Sequence, residues 1–96
     1  MSEVTFSPAH LTHIFRDVPG HLPDTEANRR SLIGTASNER NYLGTDKWGN
    51  DWYAETRPDG AQVWVQVRTG RIVNGGLNQP ARAWNPASGL SVATQP

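Results

Sequence analysis

Val63-Trp64-Val65-Gln66-Val67-Arg68 sets β-branched apolar residues against larger or polar ones in strict alternation. Successive side chains of a strand leave on opposite faces, so Val63, Val65 and Val67 share one face and Trp64, Gln66 and Arg68 the other. The valine face is expected to pack on helices and the Trp64 face to look outward. Working outward, Thr69-Gly70 turns this strand into Arg71-Ile72-Val73-Asn74. Upstream, Pro58-Asp59-Gly60 joins it to Trp52-Tyr53-Ala54-Glu55-Thr56, and Asp46-Lys47-Trp48-Gly49-Asn50 joins that to Asn41-Tyr42-Leu43-Gly44-Thr45. The pattern predicts an antiparallel meander of three or four strands.

The N-terminal part changes period. Leu11, Ile14, Phe15 and Val18 recur at helical spacing, predicting a short amphipathic helix over 8–17 that Pro19-Gly20 stops. Its other face carries His10, His13, Arg16 and Asp17. Asp24-Thr25-Glu26 is a helix-start signal, and Leu32, Ile33 and Ala36 extend a second helix from Thr25 to Ser37. Beyond Gly75-Gly76, turn residues alternate with isolated apolar anchors, Trp84 and Leu90 among them, predicting a loop that wraps the sheet. The fold class is therefore α+β: one or two N-terminal helices packed on a twisted antiparallel sheet, one domain over residues 1–96, with 91–96 a frayed tail.

Composition bounds the function. A chain of 96 residues holds one core, and 9 Gly with 7 Pro fit short elements joined by turns. Basic and acidic residues balance at 9 each, so binding to a polyanion has to rest on a local patch rather than net charge. With no cysteine, disulfides and thiolate metal sites are excluded. Met1-Ser2-Glu3-Val4 lacks the basic and apolar regions of a leader, and no apolar run approaches the roughly 18 residues of a membrane span.

His10, His13 and His21 fall close together, with Arg16 between them and Arg29 and Arg30 soon after. Cutting RNA without a metal needs a base for the 2'-hydroxyl, an acid for the leaving 5'-oxygen and a cation for the phosphorane. Histidine performs either proton transfer near neutral pH, and arginine grips phosphate in a fork. Two such histidines predict a rate maximum at about pH 6 to 7, around the free imidazole pKa. Zinc is the rival use of His10 and His13, though HExxH is missing and His21 lies past a Pro-Gly break. Trp48, Trp52, Trp64 and Trp84 are core candidates, and an exposed one beside Arg68 or Arg71 would stack an unpaired base. Arg57, Arg68, Arg71 and Arg82 form a basic groove if the meander gathers them on one face.

The order His13-Ile14, Gly20-His21, Asp24-Thr25, Asn28-Arg29, Asn41 to Asp46, Trp52-Tyr53, Asp59-Gly60, Gln62 to Arg68, Ile72, Asn74-Gly75-Gly76 and Asn78 resembles a known group. It is similar to the C-terminal toxin domains of bacterial polymorphic toxins, of the Rhs, YD-repeat or contact-dependent inhibition type. Those domains are grouped with the Barnase-EndoU-colicin-RelE ribonucleases. The resemblance implies a metal-independent endoribonuclease with no cofactor, leaving a 2',3'-cyclic phosphate and a 5'-hydroxyl. His13 and His21 would be the acid and base, with Arg16 and Arg68 on the phosphate, and Arg29, Trp64, Arg71, Asn74 and Asn78 binding substrate. EndoU-like domains add a lysine, but Lys47 is the single lysine here and stands at no comparable place, so an arginine would serve. The resemblance further implies a cognate immunity protein, a monomer when free, no membrane association, and delivery as the C-terminal part of a larger secreted effector into the target-cell cytoplasm. The alternative is a binding module for RNA or a protein partner whose Trp-rich meander recognises and whose histidines are structural.

Overall fold

The computed structural model describes residues 4–87 together with Gly89 and Leu90. The expected frayed tail, 91–96, lies outside the described residues. The elements are β1 (Thr5–Phe6), α1 (Leu11–Ile14), α2 (Glu26–Ala36), β2 (Tyr42–Thr45), β3 (Asp51–Thr56), β4 (Gln62–Arg68) and β5 (Arg71–Asn78), with 3-10 turns at Pro8–His10 and Glu39–Asn41. The sheet runs β1-β5-β4-β3-β2. The last four strands are the expected meander, so the α+β class holds. The sheet has five strands rather than three or four, and it is mixed, because β1 lies parallel to β5. Two residues carry no periodicity, which is why this strand escapes a reading by pattern.

Local chemistry explains the elements. Thr25 caps α2, its Oγ1 accepting from Asn28 N at 3.1 Å, and Glu26 in the first turn complements the helix dipole. The first helix ends at Ile14, three residues short of the prediction, because Phe15 takes an extended backbone conformation. Thr69 and Gly70 both adopt positive φ, 49° and 78°, giving the two-residue hairpin that sets Arg68 opposite Arg71.

The valine face behaves as predicted. Val63, Val65 and Val67 are buried with Ile14, Phe15, Leu32, Ala36 and Ile72. The other face looks outward only at its Arg68 end. Trp64, 1% exposed, is buried with Trp52 and Leu90, and Trp84 packs on them. The chain after β5 returns across this face, and polar side chains hold it there. Gln62 Nε2 donates to the Arg82 carbonyl at 3.1 Å, and Asn78 Nδ2 donates to the Leu90 carbonyl at 2.8 Å. At Gly89 a side chain would land on the Trp52 indole, so the loop closes only with glycine there.

Candidate active site

Two backbone events bring the histidines together. His13 occupies the last turn of α1, and a turn closed by His21 N on the Val18 carbonyl folds the chain back so that His21 faces it. This turn docks on β5 through the Gly20 carbonyl, which accepts from Leu77 N at 3.0 Å and from Trp64 Nε1 at 3.2 Å. The approach requires glycine on the strand. A Cβ at Gly76 would land on that same Gly20 oxygen, which gives the Gly75-Gly76 pair a steric purpose that a sequence pattern does not reveal.

The imidazoles of His13 and His21 lie 6.3 Å apart, centroid to centroid. His21 stands edge-on to Trp64 at 5.6 Å, so the buried indole is its floor. His21 Nδ1 is 2.8 Å from the Ile14 carbonyl, which can only accept, so Nδ1 carries the proton. In the neutral ring Nε2 then holds the lone pair, and Arg16 Nη2 donates to it at 3.2 Å. Burial lowers the His21 pKa; hydrogen bonding to the Ile14 carbonyl and to the Gly75 backbone opposes this, while Arg16 adds to it. Burial also lowers His13, followed by the charges of Arg16, His21 and His10. Both imidazoles are therefore easier to deprotonate than the free side chain. No significant match to a protein-family model, a curated protein or a solved structure is found for this chain.

Strand register adds to the site. Gln66 and Arg68 follow Trp64 on its face of β4, and Asn74 pairs with Gln66 from β5. Along this strip Gln66 and Asn74 are half-buried and Arg68 is exposed. Arg68 is held from the neighbouring hairpin. Its Nε donates to Asn50 Oδ1 at 2.7 Å, and Asn50 is fixed by the buried Asp46 carboxylate, which also accepts from Trp48 N, Asn50 N and Trp52 Nε1. Burial pushes the Asp46 carboxyl up, but these hydrogen bonds outweigh it and leave it below the usual carboxylate range. Asp46 and Asn50 were missed by the sequence reading, which took the loop as a turn; an Asp with an Asn four residues on is the signal that marks it.

Other expected residues stand elsewhere. Arg29 is locked on Asp24 at 2.6 and 2.7 Å and lies over the Phe6 and Phe15 rings, so it braces the helix side. Trp64 is sealed beneath His21 and presents no ring face to a base. Asn78 is 1% exposed and spends Nδ2 on Gln62 and Leu90. His10 faces Ser7, Oγ to Nδ1 2.8 Å. The four-arginine groove does not form: Arg57 Nη2 donates to Ser31 Oγ of α2, and Arg82 belongs to the returning chain, leaving Arg68 and Arg71 paired at the hairpin. Among the described residues no cluster of three His, Asp or Glu side chains has a metal-ligating arrangement. An open hollow of about 440 Å³ lined by Glu39, Tyr42, Asp51 and Tyr53 is acidic and disfavours phosphate.

Proposed function

We propose that the chain is a metal-independent endoribonuclease of the interbacterial toxin kind, delivered by a larger effector and restrained by a cognate immunity protein. The observation that carries the reading is the facing pair His13 and His21, with an arginine already on the catalytic nitrogen of one of them. His21, its Nδ1–H anchored, presents the Nε2 lone pair and acts as base toward the 2'-hydroxyl. The 2'-oxygen bonds to phosphorus, the bond from phosphorus to the 5'-oxygen breaks, and His13 in its protonated form supplies the proton to that oxygen. Arg16 leaves Nε2 for the phosphate as substrate arrives, and its fork balances charge on the phosphorane. Arg68, Asn74 and Arg71 serve the flanking backbone.

The test is incubation of the purified protein with total RNA in excess EDTA. Discrete fragments ending in a 2',3'-cyclic phosphate are expected. His13→Ala should lower the rate by about 10²- to 10⁴-fold, the usual yield of a general acid, with an unchanged circular dichroism spectrum because His13 is exposed. Cleavage that vanishes on chelation, or a folded His13→Ala protein that cuts at full rate, overturns the reading.

A further inference from the structure

Trp48 is 68% exposed, whereas Trp52 and Trp64 are at 1%. The backbone that carries this indole is held in place by its own loop. The Trp48 backbone N–H donates to Asp46 Oδ1 at 2.8 Å, Gly49 N to the Asp46 carbonyl at 3.1 Å, and Asp46 N to the Asn50 carbonyl at 2.9 Å. Lys47 N donates to the Pro86 carbonyl at 3.1 Å, tying the loop to the returning chain. Lys47 Nζ lies 4.9 Å from the ring centroid, and Asn50 of the same loop accepts from Arg68 Nε; the Asp46 carboxylate between them is engaged by hydrogen bonds within the loop and from Trp52. A presented indole with one cation over its ring and a second bonded to its own loop suits an unpaired nucleobase and its phosphate.

We infer that Trp48, Lys47 and Arg68 form a subsite that stacks one unpaired base of single-stranded RNA and holds its phosphate. The inference rests on the ribonuclease reading for its ligand. Arg68 follows Trp64 by four positions along β4, about 13 Å at the usual rise of a strand, so the subsite takes a nucleotide flanking the one cut at His21. It is a site for register on the RNA rather than for chemistry.

The experiment uses the full chain and a short oligouridine in which every sugar is 2'-deoxy, so that it cannot be cut. Affinity is read by fluorescence anisotropy, and exposure of the indole by iodide quenching. Trp48→Ala should weaken binding about five- to a hundredfold, the equivalent of ~1 to 3 kcal/mol for one stacked base, and Trp48→Phe should restore most of it. Saturating oligomer should shield the iodide-accessible tryptophan, and Lys47→Ala should flatten the salt dependence by close to one phosphate contact. Equal affinity of Trp48→Ala and the parent protein, or quenching unchanged by oligomer, overturns the subsite; loss of binding to an added immunity protein with oligomer binding intact would assign Trp48 to that partner instead. Because the oligomer is uncleavable, a protein that binds it through Trp48 yet leaves RNA intact refutes the ribonuclease reading and not the subsite.

Discussion

On the helix side of the sheet, Val63, Val65 and Val67 meet Ile14, Leu32 and Ile72 in an apolar layer that needs no polar group to close it. On the opposite side, Trp52 and Trp64 stack at 5.5 Å, and the cover is an irregular chain whose polar backbone must be satisfied group by group, through Gln62, Asn78 and the Lys47 backbone N–H. A helix brings its own hydrogen bonds and covers a face completely. A loop covers only where side chains can hold it, and on this face Gln66 and Asn74 are half-buried and Arg68 exposed. The strip beyond Trp64 runs from half-buried to exposed, with His21 and Arg16 at one end of this face and Arg68 at the other.

This contrast can be broken by mutation. Trp64→Ala should have the largest effect on stability, about 3 to 5 kcal/mol in urea unfolding, since it removes the floor of His21, the partner of Trp52 and a donor to the Gly20 carbonyl. A shift in midpoint no greater than that of Val65→Ala would mean that the loop-covered face contributes little. Gly76→Ala separates the site from the core. Its methyl must displace the Gly20 carbonyl, so a cost of about 1 to 3 kcal/mol is expected from the disturbed Leu77 and Trp64 bonds, with RNA cleavage falling on the order of 10²-fold as His21 moves. If cleavage persists at the parent rate, the docking of this turn does not position the histidine.

Val65→Ala, on the helix side, should cost about 1 to 3 kcal/mol and leave the pH dependence of cleavage untouched. The smallest effect concerns protonation. On the proposed mechanism the rate should climb as His21 loses its proton and fall as His13 loses its own. Both pKa values lie below 6.5, so the maximum, midway between them, should fall below pH 6.5 and thus sharpens the looser range expected from free histidine. Arg68→Lys should lower the rate without moving that maximum, because a phosphate grip is lost but no proton transfer is altered. A maximum above pH 7 would reverse the assignment of these environments.

The chain's periodicities determined a good deal. The valine alternation specified both a strand and its buried face, Asp24-Thr25-Glu26 marked the start of α2 to within one residue, and Thr69-Gly70 set the β4 to β5 hairpin with Arg68 opposite Arg71, although the register shifts between Gln66 and Val67. These are local: a strand's faces, a cap and a two-residue turn are set by neighbours within a few positions. The histidine cluster was legible as a parts list, but its geometry was not. His13 and His21 meet because a Pro-Gly turn docks on Gly76, some 55 positions further along the chain. Arg29 and Trp64 looked as available as Arg16 and Trp48 in the sequence. Tertiary structure decided between them, since burial and pairing depend on which segments return over a face, and a returning loop has no period to announce it. The β1 strand, the sealing of Trp64 and the exposure of Trp48 all follow from that one circumstance: contacts distant in sequence select among residues whose local chemistry is the same.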